Sequence, residues 1–395
     1  MTRTGGASRV RDRRVTGLEP SARRQLVHGG IAILAALAVV AAVRHEFSSM
    51  GDPGELRAGP GVTRTTLLSE WLPSLRGTPG DTPVFVLSAP GPAAGGTALV
   101  LGGTHGDEPA GSLAAVLLVE NARVTTGRLL VLPRANASGF THNFPQEAHP
   151  RRYEIRTPHG VRTFTLGARA TNPVHQWPDP QVYTHPASGQ ALSGVETRNL
   201  NRAYPGRADG TLTERIAFAI MTLIEREHVD LGLDLHEAAP EYPVVNTIVA
   251  HPNAADLAAL VNLELSAQGV AIGLEPSPET LHGLSHREWG DRTGARAALM
   301  ETVNPVQGRL RGRTDAALVV SGRDRYFEAA ARRGRLSVPF DENGWPLDVR
   351  VARHVAGVAQ FLAGLGLVAD GKEIVVEGIP SYEDVVSQGV GAFLR

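Results

Sequence analysis

His105 and Glu108 stand three residues apart in LVLGGTHGDEPAG (99–111), directly behind an apolar run and a pair of glycines. The chain has no cysteine, which excludes disulfides, thiolate nucleophiles and Cys-held zinc and leaves imidazole and carboxylate as the donors for a metal. A third donor, His236, ends the run VDLGLDLHE (229–237), and Glu301 ends ARAALMET (295–302). Two His and one carboxylate suit a catalytic zinc site with a fourth position open for water. Zinc lowers the pKa of such a water toward roughly 7 and polarises a carbonyl oxygen. A separate carboxylate must then take the proton, and Glu301 stands where a general base belongs. Asp234, two residues before His236 on the same strand face, is placed to support a ligand from behind. H-x-x-E alone is a common pattern. Its agreement with His236 and Glu301 at other strand ends is what points to one zinc ion per chain.

The elements that must deliver these groups alternate along the chain. PVFVLS (84–89 region), TALVLGG (97–103), GRLLVLPRAN (127–136), VDLGLDLHE, VVNTIVAH (244–251) and ARAALMET read as strands. SLAAVLLVENA (112–122), LTERIAFAIMTLIEREH (212–228), AADLAALVNLELSAQ (254–268) and VRVARHVAGVAQFLAGLG (349–366) read as helices, the second capped by Thr211 or Thr213. Such alternation predicts an α/β fold: a mixed, mostly parallel sheet with helices on both faces. Ligands of open α/β sheets sit beyond the C-terminal strand ends, where His105, Glu108, His236 and Glu301 all fall. His105 and Glu108 are expected on the first turn of the helix that follows. Asn201 and Arg202, in ETRNLNRAYPG, occupy a loop before the 212–228 helix. Residues 137–196 break the alternation and are expected to form a lid or specificity loop, with a hairpin turning at Pro158-His159-Gly160.

Composition narrows the classes. An apolar share of 42% is that of a globular chain, and a formal net charge of −1 gives no electrostatic case for nucleic acid. GGTHG lacks the Lys and spacing of a phosphate loop, and no G-x-S-x-G serine elbow occurs. Before Gly29 the chain is rich in Arg, and Gly29–Val43 follows as 15 residues without a charge. That is short for a spanning helix of roughly 20 residues but suits a signal core, and Arg23-Arg24 resembles a twin-arginine export signal. Residues 1–45 are therefore expected to export the chain or tether it to a membrane through 29–43. Residues 46–80 read as a linker or leading flap with one short helix at LLSEWLPSL, and 81–395 as the hydrolase domain.

GGTHGDEPAG, NLNRAYPG, DLHEA and the strand-end Glu301 resemble the succinylglutamate desuccinylase/aspartoacylase family, within the zinc carboxypeptidase-like superfamily, over about residues 84–365. The resemblance implies zinc held by His105, Glu108 and His236, with Glu301 as base. It also implies that Asn201 and Arg202 grip a substrate carboxylate, for which a planar guanidinium is well shaped. The family's second, oxyanion-stabilising Arg has no residue-by-residue match; Arg198, Arg151, Arg152 and Arg134 are the candidates. The implied substrate is a small N-acyl amino acid. A peptide C-terminus or cell-wall peptide is the alternative, and a non-catalytic carboxylate- or zinc-binding module a further one.

Overall fold

The computed structural model describes residues 20–49, 54–91, 94–143 and 149–395. The chain divides into two units, Met1–Gly51 and Asp52–Arg395. Within the first, α1 runs over Pro20–Ser49. The 15-residue stretch judged short for a membrane span thus lies inside a 30-residue helix. Its portion Ser21–His45 is long and apolar enough to cross a membrane by length and composition, but so is a mostly buried core helix of the second unit. The leader arginines up to Arg14 lie outside the described residues.

The second unit is built on an eight-stranded sheet ordered β1-β2-β5-β3-β10-β13-β11-β12. Its strands are β1 (Arg64–Leu67), β2 (Pro83–Ser88), β3 (Thr97–Leu101), β5 (Arg128–Leu132), β10 (Leu231–Ala238), β11 (Thr247–Ala250), β12 (Gly273–Pro276) and β13 (Arg296–Val303). The middle of the sheet, β5-β3-β10-β13, is parallel, and antiparallel pairings flank it. Two-stranded sheets pair β4 (Arg123–Thr126) with β14 (Val375–Glu377), β6 (Arg152–Thr157) with β7 (Gly160–Thr165), and β8 (Val182–Thr184) with β9 (Ala191–Ser193). The fold is the expected mixed sheet with helices on both faces. LLSEWLPSL differs: it forms two 3-10 turns, because Pro73 forces Leu72 into extended backbone and breaks the helix.

Period-two alternation divides the buried strands between two cores. Ala98, Val100, Leu233 and Leu235 face α2 (Pro109–Asn121), α4 (Ala255–Ala267) and α8 (Leu347–Val368). Leu99, Leu101, Leu130 and Leu132 face α3 (Leu212–Arg226) and Trp289 of α5 (Ser285–Thr293). Strands buried on both sides need such continuous apolar runs. α3 starts with a full capping box between Thr211 and Glu214. The shorter α6 (Ala316–Ser321), α7 (Arg325–Ala331) and α9 (Tyr382–Gln388) complete the unit's α-helices among the described residues.

One contact brings the start of α2 to the end of β10. A Cβ on Gly111 would lie 2.2 Å from the carbonyl oxygen of Leu235, so only glycine lets the helix approach the strand this closely. Gly111→Ala should therefore cost roughly 1–3 kcal/mol of stability, the range for overpacking a dense core. Denaturant unfolding should show this, together with weaker metal uptake as Glu108 is drawn away from His236; unchanged values for both would refute this account of the contact.

Candidate metal centre

β3, β10 and β13 are neighbours and parallel, so their C-terminal ends open on one edge of the sheet. His236 lies opposite Glu301 in the β10–β13 register. The turn after β3 supplies His105 and Glu108. Neither is on the first turn of the helix, where the sequence leads us to expect them. α2 begins at Pro109, and Glu108 is its N-cap residue without a side-chain capping bond. The Glu108 carboxylate is used in the site instead, and Glu237 replaces it as the cap. Its Oε2 accepts from Ala110 N–H at 2.8 Å, while its Oε1 pairs with the buried Arg350 at 2.6 Å.

One ligand atom from each of His105, Glu108 and His236 lies within 4.8 Å of the others, and all three residues are buried. His105 Nδ1 is 2.7 Å from Glu108 Oε1, and His236 Nδ1 is 2.9 Å from Glu108 Oε2. The outer ring nitrogens face oxygen: His105 Nε2 lies 2.9 Å from Asn199 Oδ1, and His236 Nε2 lies 2.9 Å from Asp234 Oδ2. Asn199 Nδ2 donates to Glu196 at 2.7 Å, and Asn199 Oδ1 accepts from Asn201 N–H at 3.0 Å. These bonds fix the amide's orientation, so His105 carries its proton on Nε2. The Nδ1 lone pair then confronts a carboxylate oxygen. Two acceptors at this distance repel each other unless a cation lies between them. A donor set of two imidazoles and a carboxylate, each oriented by an outer partner, fits a divalent metal ion.

Electrostatics divide the two imidazoles. Burial and the nearby Arg169 push His105 down to about 4, so it stays neutral. Burial opposes charge on His236, but Asp234 and Glu108 outweigh it and hold its pKa well above the usual imidazole range. Burial also opposes the Glu108 charge, yet the two imidazoles keep its pKa well below the usual carboxylate range. Asp234 is fixed by hydroxyl donors, Thr104 at 2.8 Å and Ser285 at 2.6 Å. Glu108 also accepts from Glu237 N–H at 3.1 Å and from Gln307 Nε2 at 3.1 Å.

Glu301 is part-buried with Oε2 shielded and unpartnered. Burial above all, with Glu108 adding to it, raises its carboxyl to about 8. Asn201 is buried and accepts Ser285 N–H at 2.8 Å through Oδ1. Arg202 sits on the turn Leu200–Arg202, with Nε 4.0 Å from Glu196. Burial and the proximity of Arg169 lower its pKa.

None of the four arginines weighed for the oxyanion role reaches the centre. Arg198 pairs with Asp179 at 2.7 Å, Arg151 donates to Phe140 O, Arg134 to Gly54 O, and Arg152 lies exposed on β6. Arg169 is the guanidinium beside the ligands, its Nη1 3.3 Å from both His105 Nδ1 and Glu108 Oε1. It follows β7 in the insertion, where no fixed spacing to the ligands exists to reveal it. Its local signal is Gly167: a Cβ there would lie 2.4 Å from Gly139 O, and the segment exchanges backbone bonds with the metal turn (Gly106 N→Ala168 O 2.9 Å, Gly167 N→Gly106 O 2.8 Å). Nearby polar and aromatic residues are otherwise engaged or placed: His251 pairs with Asp291 at 2.9 Å, Arg292 with Glu288 at 2.6 Å, Tyr204 is buried and Tyr242 is exposed.

No family model and no curated protein matches the chain. Among solved structures it is similar to a succinylglutamate desuccinylase from Silicibacter sp. (22% identity, 58% of this chain and 55% of that chain, TM-score 0.36). It is similar also to a succinylglutamate desuccinylase/aspartoacylase from Rhodobacter sphaeroides (21% identity, 58% and 54%, TM-score 0.36). A metallo-carboxypeptidase from Burkholderia cenocepacia is similar at 13% identity over 82% of this chain and 69% of that one, TM-score 0.44. The chain thus spans little more than half the length of the first two. The chemistry of the site has to be read from its own residues.

His286, on α5 beneath Asp234, is buried with both ring nitrogens unpartnered, and burial pushes it down to about 3. Between pH 6.5 and about 3 the folded chain therefore binds fewer protons here than the unfolded one. This contribution is complete above pH 6.5 and is lost as pH falls, by at most about 1.4 kcal/mol per pH unit. Denaturant unfolding of the wild type should show stability declining from pH 7 to pH 5, with a shallower decline in His286→Phe. Equal slopes would show that this imidazole is not the source.

Proposed function

We propose that the chain is a zinc-dependent hydrolase that cleaves the amide bond of a small substrate carrying a carboxylate, of the N-acyl amino acid kind. The observation that carries this reading is the meeting of His105, Glu108 and His236, all buried, with one ligand atom of each within 4.8 Å of the others. Zinc, when bound by His105, Glu108 and His236, would supply Lewis acidity, acidifying a water and polarising the carbonyl.

The other roles belong to the chain. Glu301, with a shielded and unpartnered Oε2, takes a proton from the attacking water and returns it to the leaving nitrogen. Arg169 Nη1 donates to the carbonyl oxygen as negative charge gathers there. Arg202 pairs with the substrate carboxylate, and Asn201 shapes the same turn. Arg169 and Arg202 lie close enough for each to feel the other's charge, which favours an anionic substrate over a neutral one. The Arg-rich leader and apolar α1 support a place outside the cytoplasm, exported or tethered.

Purified protein should contain about one zinc per chain, and chelation should abolish hydrolysis of an N-acyl amino acid panel. Glu301→Gln should keep the zinc and lower kcat by roughly 10²–10⁴. Arg169→Ala should lower kcat by about 10²–10³, whereas Arg202→Ala should chiefly raise KM. A wild type that holds zinc yet hydrolyses neither the panel nor short peptides would favour a binding module and sink the enzyme reading.

A further inference from the structure

The two imidazoles of the centre are supported unequally. His236 Nε2 faces an ionised carboxylate directly, Asp234 at 2.9 Å. His105 Nε2 faces the neutral amide of Asn199 at 2.9 Å, and the nearest charge on that path is one residue further out, at Glu196, 2.7 Å from Asn199 Nδ2. We infer that Glu196, acting through Asn199, is a positioning residue that sets the orientation and donor strength of His105 from the same turn that presents Arg202. This inference rests on the metal reading above.

Four observations carry it. The amide orientation is over-determined, because Asn199 Oδ1 also accepts from Asn201 N–H at 3.0 Å while Nδ2 donates to the carboxylate. Asn199 is the N-cap of the turn Leu200–Arg202, so a shift of that turn moves the group behind His105. Glu196 Oε2 is the acceptor for Asn199 and also lies 4.0 Å from Arg202 Nε, so one oxygen serves both the ligand support and the guanidinium. Its charge is also felt at Arg169. A hydrogen-bonded chain that ends on a carboxylate polarises each member, by an estimated 10–30% per bond, so the amide passes on part of the Glu196 charge. Outer partners of metal-bound imidazoles commonly change metal affinity by about 10–100-fold, so the effect is measurable.

The test relocates the charge and keeps the bonds. Glu196→Gln still accepts from Asn199 but removes the charge. The double variant Glu196→Gln/Asn199→Asp restores it one residue closer to His105, with the amide now donating to the carboxylate. Zinc affinity is read by competition with a chromophoric chelator. Glu196→Gln should bind zinc about threefold more weakly than wild type, and the double variant about tenfold more tightly than Glu196→Gln, hence about threefold more tightly than wild type. Imidazole ¹⁵N NMR of the metal-free protein should find His105 with its proton on Nε2 in wild type and double variant, and that resonance moved downfield in the latter. Zinc affinities within twofold across all three proteins, or a His105 proton on Nδ1, would overturn the relay. Should Glu196→Gln fail to fold, the double variant carries the test against wild type alone, with tighter binding expected and equal or weaker binding overturning. A wild type that takes up no zinc overturns both this inference and the hydrolase reading, whereas equal affinities in zinc-binding proteins overturn the relay only.

Discussion

An imidazole nitrogen stripped of its proton and a carboxylate oxygen, 2.7 Å apart and shut away from water, do not tolerate each other unaided. Much of the surrounding structure serves to keep them there. Asn199 takes the outer nitrogen of His105, and Asp234 stands 2.9 Å from that of His236. Glu237 N–H and Gln307 steady the carboxylate from two sides. Burying several ionisable groups at one place works against folding. The chain accepts that cost at the sheet edge, and apolar burial on both faces offsets it, at roughly 1.5–3 kcal/mol for each fully buried large aliphatic side chain.

The parallel middle of the sheet solves the positioning problem. Neighbouring parallel strands end at one edge, so groups far apart in sequence meet without long flexible connections. Period two does the rest. Asp234 and His236 face the α5 side, where Ser285 waits, while Glu237 faces the other side and secures α2 and α8. A single strand thus supplies one member of the cluster, the carboxylate behind it and the cap of the helix that follows the other two.

Much of this could be read in the residues. The alternating apolar runs carry the fold class, because strands buried on both faces must be continuously apolar and helices must keep a 3.6 period. His105, Glu108 and His236 could be named because they interrupt apolar strand ends with metal-binding side chains. Their helix placement was off by one turn, since Pro109 suits a first helical position and leaves Glu108 outside. Arg169 was invisible for a different reason. It reaches the centre through tertiary contacts of an irregular segment, and no periodicity records such contacts. Asn199 shows the intermediate case: an Asn two residues before Asn201 is a recognisable turn-starter, but only the fold reveals that its oxygen meets His105.

The backbone bonds between the metal turn and the foot of the insertion have an architectural consequence. A segment stitched in this way cannot swing as a hinged door, because lifting residues 167–169 would tug on the loop that carries His105. Sequence drift is left to side chains that point away from such bonds, as those of Val174 and Trp177 do at 86% and 74% exposed. The root is held in place by the same bonds that hold the loop of His105.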